Sequence, residues 1–189
     1  MAIHPVLMPA PVLLNRLQNH EKMQFLGSTA EKALACSAGK SGVVLGLLKK
    51  NANGAPQPNK GCFWSLAHAI DYVAAVTAPF PVGIDIEIIA SFTPALQKQI
   101  ALPQEWDLVD RVTPLVFFRF WTAKEAVLKA TGEGLSGLPN CVVTEVVDHE
   151  TLRLRYQTEI WTVSHCMPTP RHIAAVTSGI SPIVWHVGE

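Results

Sequence analysis

The sequence predicts an α+β fold built from two similar α/β halves related by pseudo-twofold symmetry. Two observations carry that expectation. Trp64-Ser65-Leu66-Ala67-His68 followed by Tyr72-Val73-Ala74-Ala75-Val76-Thr77 recurs about 100 residues later as Trp161-Thr162-Val163-Ser164-His165 followed by His172-Ile173-Ala174-Ala175-Val176-Thr177. The 189 residues are 49% apolar and 16% charged, a globular composition with room for one domain or two small halves. The expected halves are residues 1–89 and 90–189.

Leu14 to Ala38 reads as a helix, because Phe25, Ala30, Ala33 and Leu34 return to one face. Ser28 and Thr29 offer a helix start, and Gly39 and Gly42 an end. Lys49 to Gly61 is a loop by its Asn, Gly and Pro content. Phe63 to Leu66, Tyr72 to Thr77 and Val82 to Ile89 are β-prone runs, the last two parted by Pro79 and Pro81. Ser91 to Lys98 and Gln104 to Arg111 are short helices interrupted by Pro94 and Pro103. Leu115 to Thr131 is the strongest helix, opening after Pro114 and stopping at Gly132. Strands are expected over Cys141 to Val147, Thr151 to Tyr156, Glu159 to Ser164 and Ile173 to Thr177.

Fifteen basic and fifteen acidic side chains cancel. A neutral chain has no broad basic face, which argues against a nucleic-acid partner. Met1 to Pro11 has no Lys or Arg and three prolines, unlike a secretion signal, and no run is long enough for a membrane span. Cys36, Cys62, Cys141 and Cys166 form no Cys-x-x-Cys pair, so buried thiols in a cytoplasmic protein are expected rather than zinc ligands or disulfides. The five tryptophans are expected in the core and between the halves, and His165 as a structural histidine.

Two clusters carry chemistry. In Gly83-Ile84-Asp85-Ile86-Glu87, residues two apart on a strand share a face, so Asp85 and Glu87 project together while the isoleucines enter a core. Paired carboxylates repel unless solvent or a hard cation such as Mg²⁺ relieves them. In Trp121-Thr122-Ala123-Lys124-Glu125-Ala126-Val127-Leu128-Lys129, Glu125 and Lys129 share a helical face, with Lys124 about a quarter-turn away. Taken singly, the first is also a wet edge strand and the second a surface ion pair. Together, three carboxylates and two lysines are equipment for phosphoryl chemistry.

Gly-Ile-Asp-Ile-Glu, followed some forty residues later by Phe-Trp-Thr-Ala-Lys-Glu-Ala-Val-Leu-Lys-Ala-Thr-Gly-Glu-Gly-Leu, resembles the paired signature of 4′-phosphopantetheinyl transferases. Phe63 to His68 is similar to that family's histidine strand, 17 residues before Asp85. The resemblance covers about Asn53 to Gly137 well and the rest loosely, and the duplicated halves agree with the larger, surfactin-type, single-chain members. It implies Mg²⁺ on Asp85, Glu87 and Glu125, and coenzyme A pyrophosphate near Lys124 and Lys129. It also implies the adenylate 3′-phosphate near His68 and a glycine turn at Gly132 and Gly134. The implied reaction moves phosphopantetheine from coenzyme A to a serine of an apo acyl or peptidyl carrier protein, releasing 3′,5′-ADP. The serine hydroxyl needs a base, and Glu125, directly or through a metal-bound water, and Glu105 are the candidates. A monomer is expected, because one chain holds both halves.

The sequence departs from the family at two places. Gly54-Ala55-Pro56 stands where many members have Gly-Lys-Pro, and Ala67 replaces the serine before His68. Lys32, Lys49, Lys50 and Lys60 are the candidates to replace that lysine. The two alanines also allow a catalytically impaired homologue that binds coenzyme A or carrier without turnover. A metal nuclease fits the same residue types less well, given the neutral charge.

Overall fold

The computed structural model describes residues 1–10, 19–52 and 54–188. Residues 14–18 of the first expected helix lie outside them. The elements run β1 (Val6–Pro9), α1 (Asn19–Ser41), β2 (Lys49–Lys50), β3 (Pro56–Gln57), β4 (Phe63–His68), β5 (Tyr72–Ala78) and β6 (Ile84–Ile88). They continue with α2 (Pro94–Ile100), α3 (Pro103–Trp106), α4 (Pro114–Thr131), a 3₁₀ helix (Gly134–Asn140), β7 (Cys141–Val146), β8 (Thr151–Tyr156), β9 (Glu159–Thr169), β10 (His172–Thr177) and β11 (His186–Val187).

Two sheets form, ordered β11-β1-β5-β4 and β6-β10-β9-β8-β7, and β2 and β3 make a separate short hairpin. The repeated words explain how the sheets stack. Val73 and Ala75 of β5 pack with Leu26, Ala33 and Leu34 of α1. Ala175 of β10 packs with Phe117, Phe120 and Ala123 of α4. The alternate residues Ala74, Val76, Ala174 and Val176 turn the other way and share a core with Ile84 and Ile86. The layers are therefore helix, sheet, sheet, helix, with the β1-α1-β4-β5 unit repeated as β6-α4-β9-β10. Ile84 and Ile86 are almost fully buried, and each such side chain contributes about 1.5–3 kcal/mol.

The sheets divide the chain earlier than residue 89. β6 pairs with β10, Asp85 opposite Ala175 and Glu87 opposite Ile173. The strand that carries the two acids thus belongs to the second sheet, and the link between units is residues 79–83. Gly83 begins that strand against α4: a Cβ there would lie 1.8 Å from the Ala126 carbonyl oxygen.

Several local expectations are corrected. Ser28 and Thr29 lie inside α1, where the Ser28 hydroxyl donates to the Phe25 carbonyl instead of capping. Pro94 and Pro103 open helices rather than interrupt them, since the first turn needs no proline N–H. Pro5, Pro9 and Pro11 hid β1, yet Val6 and Leu7 are buried between β5 and β11. The loop from Lys49 contains the β2–β3 hairpin. β9 runs on to Thr169. The four cysteines are outside any disulfide, Cys62 and Cys141 buried and the others half-buried. No helix among the described residues is long and apolar enough to cross a membrane.

Candidate active site

The edge strand of the second sheet comes up against the first. Ser65 of β4 accepts a hydrogen bond from the Ile84 amide of β6 at 3.2 Å. Beside this contact the two units leave a cleft, formed by two adjoining cavities of about 460 and 430 Å³ that share Lys50, Leu66, Glu125 and Lys129. The second also takes in His68, Asp85 and Glu87, with Leu26 and Ala30 of α1 on its far wall. The first runs past Ala55 to the turn Gly132–Ser136.

α4 supplies the side chains of one wall. Thr113 caps its start, accepting from the Val116 amide, and Pro114 occupies the first turn. Gly132 ends it in the left-handed conformation, φ 76°, where a side chain would be strained. Between these ends Trp121, Glu125, Leu128 and Lys129 present one stripe, and three of them line the cleft.

The acids and lysine form a network rather than isolated groups. Lys129 Nζ lies 2.6 Å from Asp85 Oδ1, so Lys129 reaches across to β6. Asp85 Oδ2 is buried without a hydrogen-bond partner. Trp121 Nε1 donates to Glu87 Oε1 at 3.2 Å. Burial, then the field of Asp85, raises Glu87 above the usual carboxylate range. Burial and the same Asp85 push Glu125 up to about 7, against the opposing pull of Lys129.

These residues suit a hard cation in part. The donors are all oxygen, one is a buried orphan, and their mutual repulsion is what a divalent ion relieves. They are not drawn into a finished shell: among the described residues no three His, Cys, Asp or Glu side chains make a metal-holding group.

Other expected site residues lie elsewhere. Lys124 is not in the cleft. Its Nζ lies 2.6 Å from Glu105 Oε1 in an ion pair whose side chains are only 2% and 1% exposed. Glu105 also accepts from the Val143 and Leu102 amides at 2.8 and 2.9 Å. The quarter-turn between Lys124 and Glu125 sends one to the core and the other to the cleft, and Glu105 is too enclosed to act as a base there. Lys32 on α1 and Lys60, at φ 51° in the turn before β4, are exposed and line neither cavity. Lys50, one of the four candidate lysines, is carried into both cavities by the β2–β3 hairpin. His165 is structural: Nδ1 and Nε2 face the carbonyls of Glu150 and Arg119 at 2.9 and 3.0 Å.

Residues 81–176 match the model of the 4′-phosphopantetheinyl transferase superfamily. The chain is 33% identical over 137 residues to 4′-phosphopantetheinyl transferase HetI of Nostoc sp., covering 67% of this chain and 56% of that protein. It is 29% identical over 93 residues to 4′-phosphopantetheinyl transferase gsp of Aneurinibacillus migulanus, covering 47% and 39%. It is 36% identical over 90 residues to the L-aminoadipate-semialdehyde dehydrogenase-phosphopantetheinyl transferase of Schizosaccharomyces pombe, covering 40% and 35%. The chain thus aligns with about half or less of the length of these relatives. The family match runs from the approach to β6 through α4 to the end of β10, the stretch that contributes Asp85, Glu87, Glu125 and Lys129 to the cleft, and by it the chain belongs to the 4′-phosphopantetheinyl transferase superfamily.

Proposed function

We propose that this chain transfers 4′-phosphopantetheine from coenzyme A to a serine of an apo acyl or peptidyl carrier protein, with Mg²⁺, releasing 3′,5′-ADP. The observation that carries this reading is the single cleft between the two units. Its lining gathers Asp85, Glu87, Glu125 and Lys129 of the second unit with Lys50 and His68 of the first.

In the reaction the serine Oγ attacks the phosphorus that bears the pantetheine arm, and the bond from that phosphorus to the 3′,5′-ADP oxygen breaks. Lys129, half-buried in the cleft, meets the diphosphate and offsets the charge that grows on the departing ADP. Lys50 and His68 take the adenylate phosphate as donors. Glu125, which lines the cleft beside Asp85 and Glu87, accepts the serine proton directly or through a bound water. Asp85, Glu87 and Glu125 would hold the Mg²⁺, which neutralises diphosphate charge when bound. Cysteines outside any disulfide suit a cytoplasmic setting, and one chain contributing both walls suits a monomer.

The test is incubation with a panel of apo carriers, coenzyme A and Mg²⁺, read by mass spectrometry. A carrier that gains one phosphopantetheine supports the reading. Tight coenzyme A binding with no mass gain on any carrier would leave a binding homologue in its place, the reading that Ala55 and Ala67 favour.

A further inference from the structure

A third cavity, about 480 Å³, opens near the N-terminal end of α4 and shares no lining residue with the cleft. Leu115, Val116, Ile173 and Trp185 give it apolar walls, and Arg119 is among its lining residues. Arg119 is only 9% exposed. Its Nη2 donates to the Asp148 and Thr151 carbonyls, and its Nε is buried with no partner.

No carboxylate pairs with this buried cation among the described residues. Asp148, whose field reaches it, has turned its Oδ1 to the Glu150 and Thr151 amides at 2.8 and 2.7 Å. Glu150 is at the rim, exposed and 3.6 Å from His149. The neighbouring His165 is held between two carbonyls and supplies no negative charge. A largely buried guanidinium that no carboxylate contacts, beside apolar side chains, matches a ligand with one carboxylate and an apolar body. Arg stays charged and makes charge-assisted hydrogen bonds to carboxylates, and the volume lies within the range of small-molecule sites.

We propose that this cavity is a second binding site, for a small aliphatic carboxylic acid whose carboxylate meets Arg119 and whose chain lies against Leu115, Val116, Ile173 and Trp185. Octanoate is the probe, with octanamide as its neutral counterpart, each titrated into the full chain and followed by calorimetry and saturation-transfer NMR. One octanoate per chain should bind, about tenfold or more tighter than octanamide, a difference of about 1.4 kcal/mol. Arg119→Gln should remove that preference. Leu115→Trp fills the mouth from an exposed position and should weaken octanoate about tenfold while coenzyme A affinity stays unchanged. Should Arg119→Gln fail to fold, Leu115→Trp decides alone. No saturable binding up to about 10 mM, equal binding of acid and amide, or displacement of octanoate by coenzyme A would each overturn the proposal. None of these outcomes depends on whether the chain transfers phosphopantetheine.

Discussion

Lys129 and Asp85 join the last turn of α4 to the edge strand β6, Nζ to Oδ1 at 2.6 Å, across the floor of the cleft. Asp85 has 6% of its side chain exposed and Lys129 29%, so the pair is shielded on one side and reachable on the other. The lysine thus partners a buried carboxylate oxygen while its own side chain stays partly open to the cleft.

Lys129→Met should therefore destabilise the fold by about 2 kcal/mol, below the range for a fully buried broken pair because Lys129 is partly solvated. Combining it with Asp85→Asn should recover most of that loss in urea unfolding, yet transfer to carrier should stay at least about 100-fold down. Equal instability of the single and double variants would show that the pair is not coupled.

Lys124 behaves differently although it is one residue from Glu125. Lys124→Met should cost about 3 kcal/mol or more, because the enclosed Glu105 loses its ion-pair partner. Lys124→Met with Glu105→Gln should be more stable than Lys124→Met alone, since Gln keeps an oxygen for the Val143 amide. Coenzyme A affinity measured on the folded variants should match wild type; a large drop would put Lys124 in contact with ligand after all.

Among the lysines flanking the first unit, Lys50 faces the cleft and Lys32 and Lys60 do not. Lys50→Ala should weaken coenzyme A binding about tenfold and lower its salt sensitivity, whereas Lys32→Ala and Lys60→Ala should leave both unchanged. His68→Ala should narrow the preference for coenzyme A over 3′-dephospho-coenzyme A, measured by competition. An unaltered preference would assign the 3′-phosphate to Lys50 alone.

His165 makes stability depend on pH. Burial lowers its pKa from 6.5 to about 4, so as pH falls the unfolded chain takes up this proton first. The contribution is complete above pH 6.5 and is lost as pH falls toward about 4, by about 3 kcal/mol at most. Urea midpoints at pH 7 and pH 4.5 should differ less for His165→Gln than for wild type. A histidine NMR titration of His165 centred near 6.5 would contradict the burial argument.

The repeated unit, the long helix with its Pro114 start and Gly132 stop, and the common face of Asp85 and Glu87 are legible in the order of the residues alone. Each depends on contacts within a few residues or on an alternation that one strand already carries. The same order also places Glu125 and Lys129 on one helical stripe. Tertiary structure decided which neighbours those side chains meet. β6 joined β10 because its isoleucines fit the core between the sheets, and that moved both acids into the second unit. Lys124 turned inward because Glu105, nineteen residues earlier in the chain, was brought beside it by the packing of α3. Lys50 entered the cleft because a hairpin of two-residue strands formed where composition shows only a loop. β1, rich in proline at its ends, found its hydrogen bonds only on strands from distant parts of the chain. Those outcomes depend on long-range packing, and no local periodicity encodes which partner a charged side chain will reach.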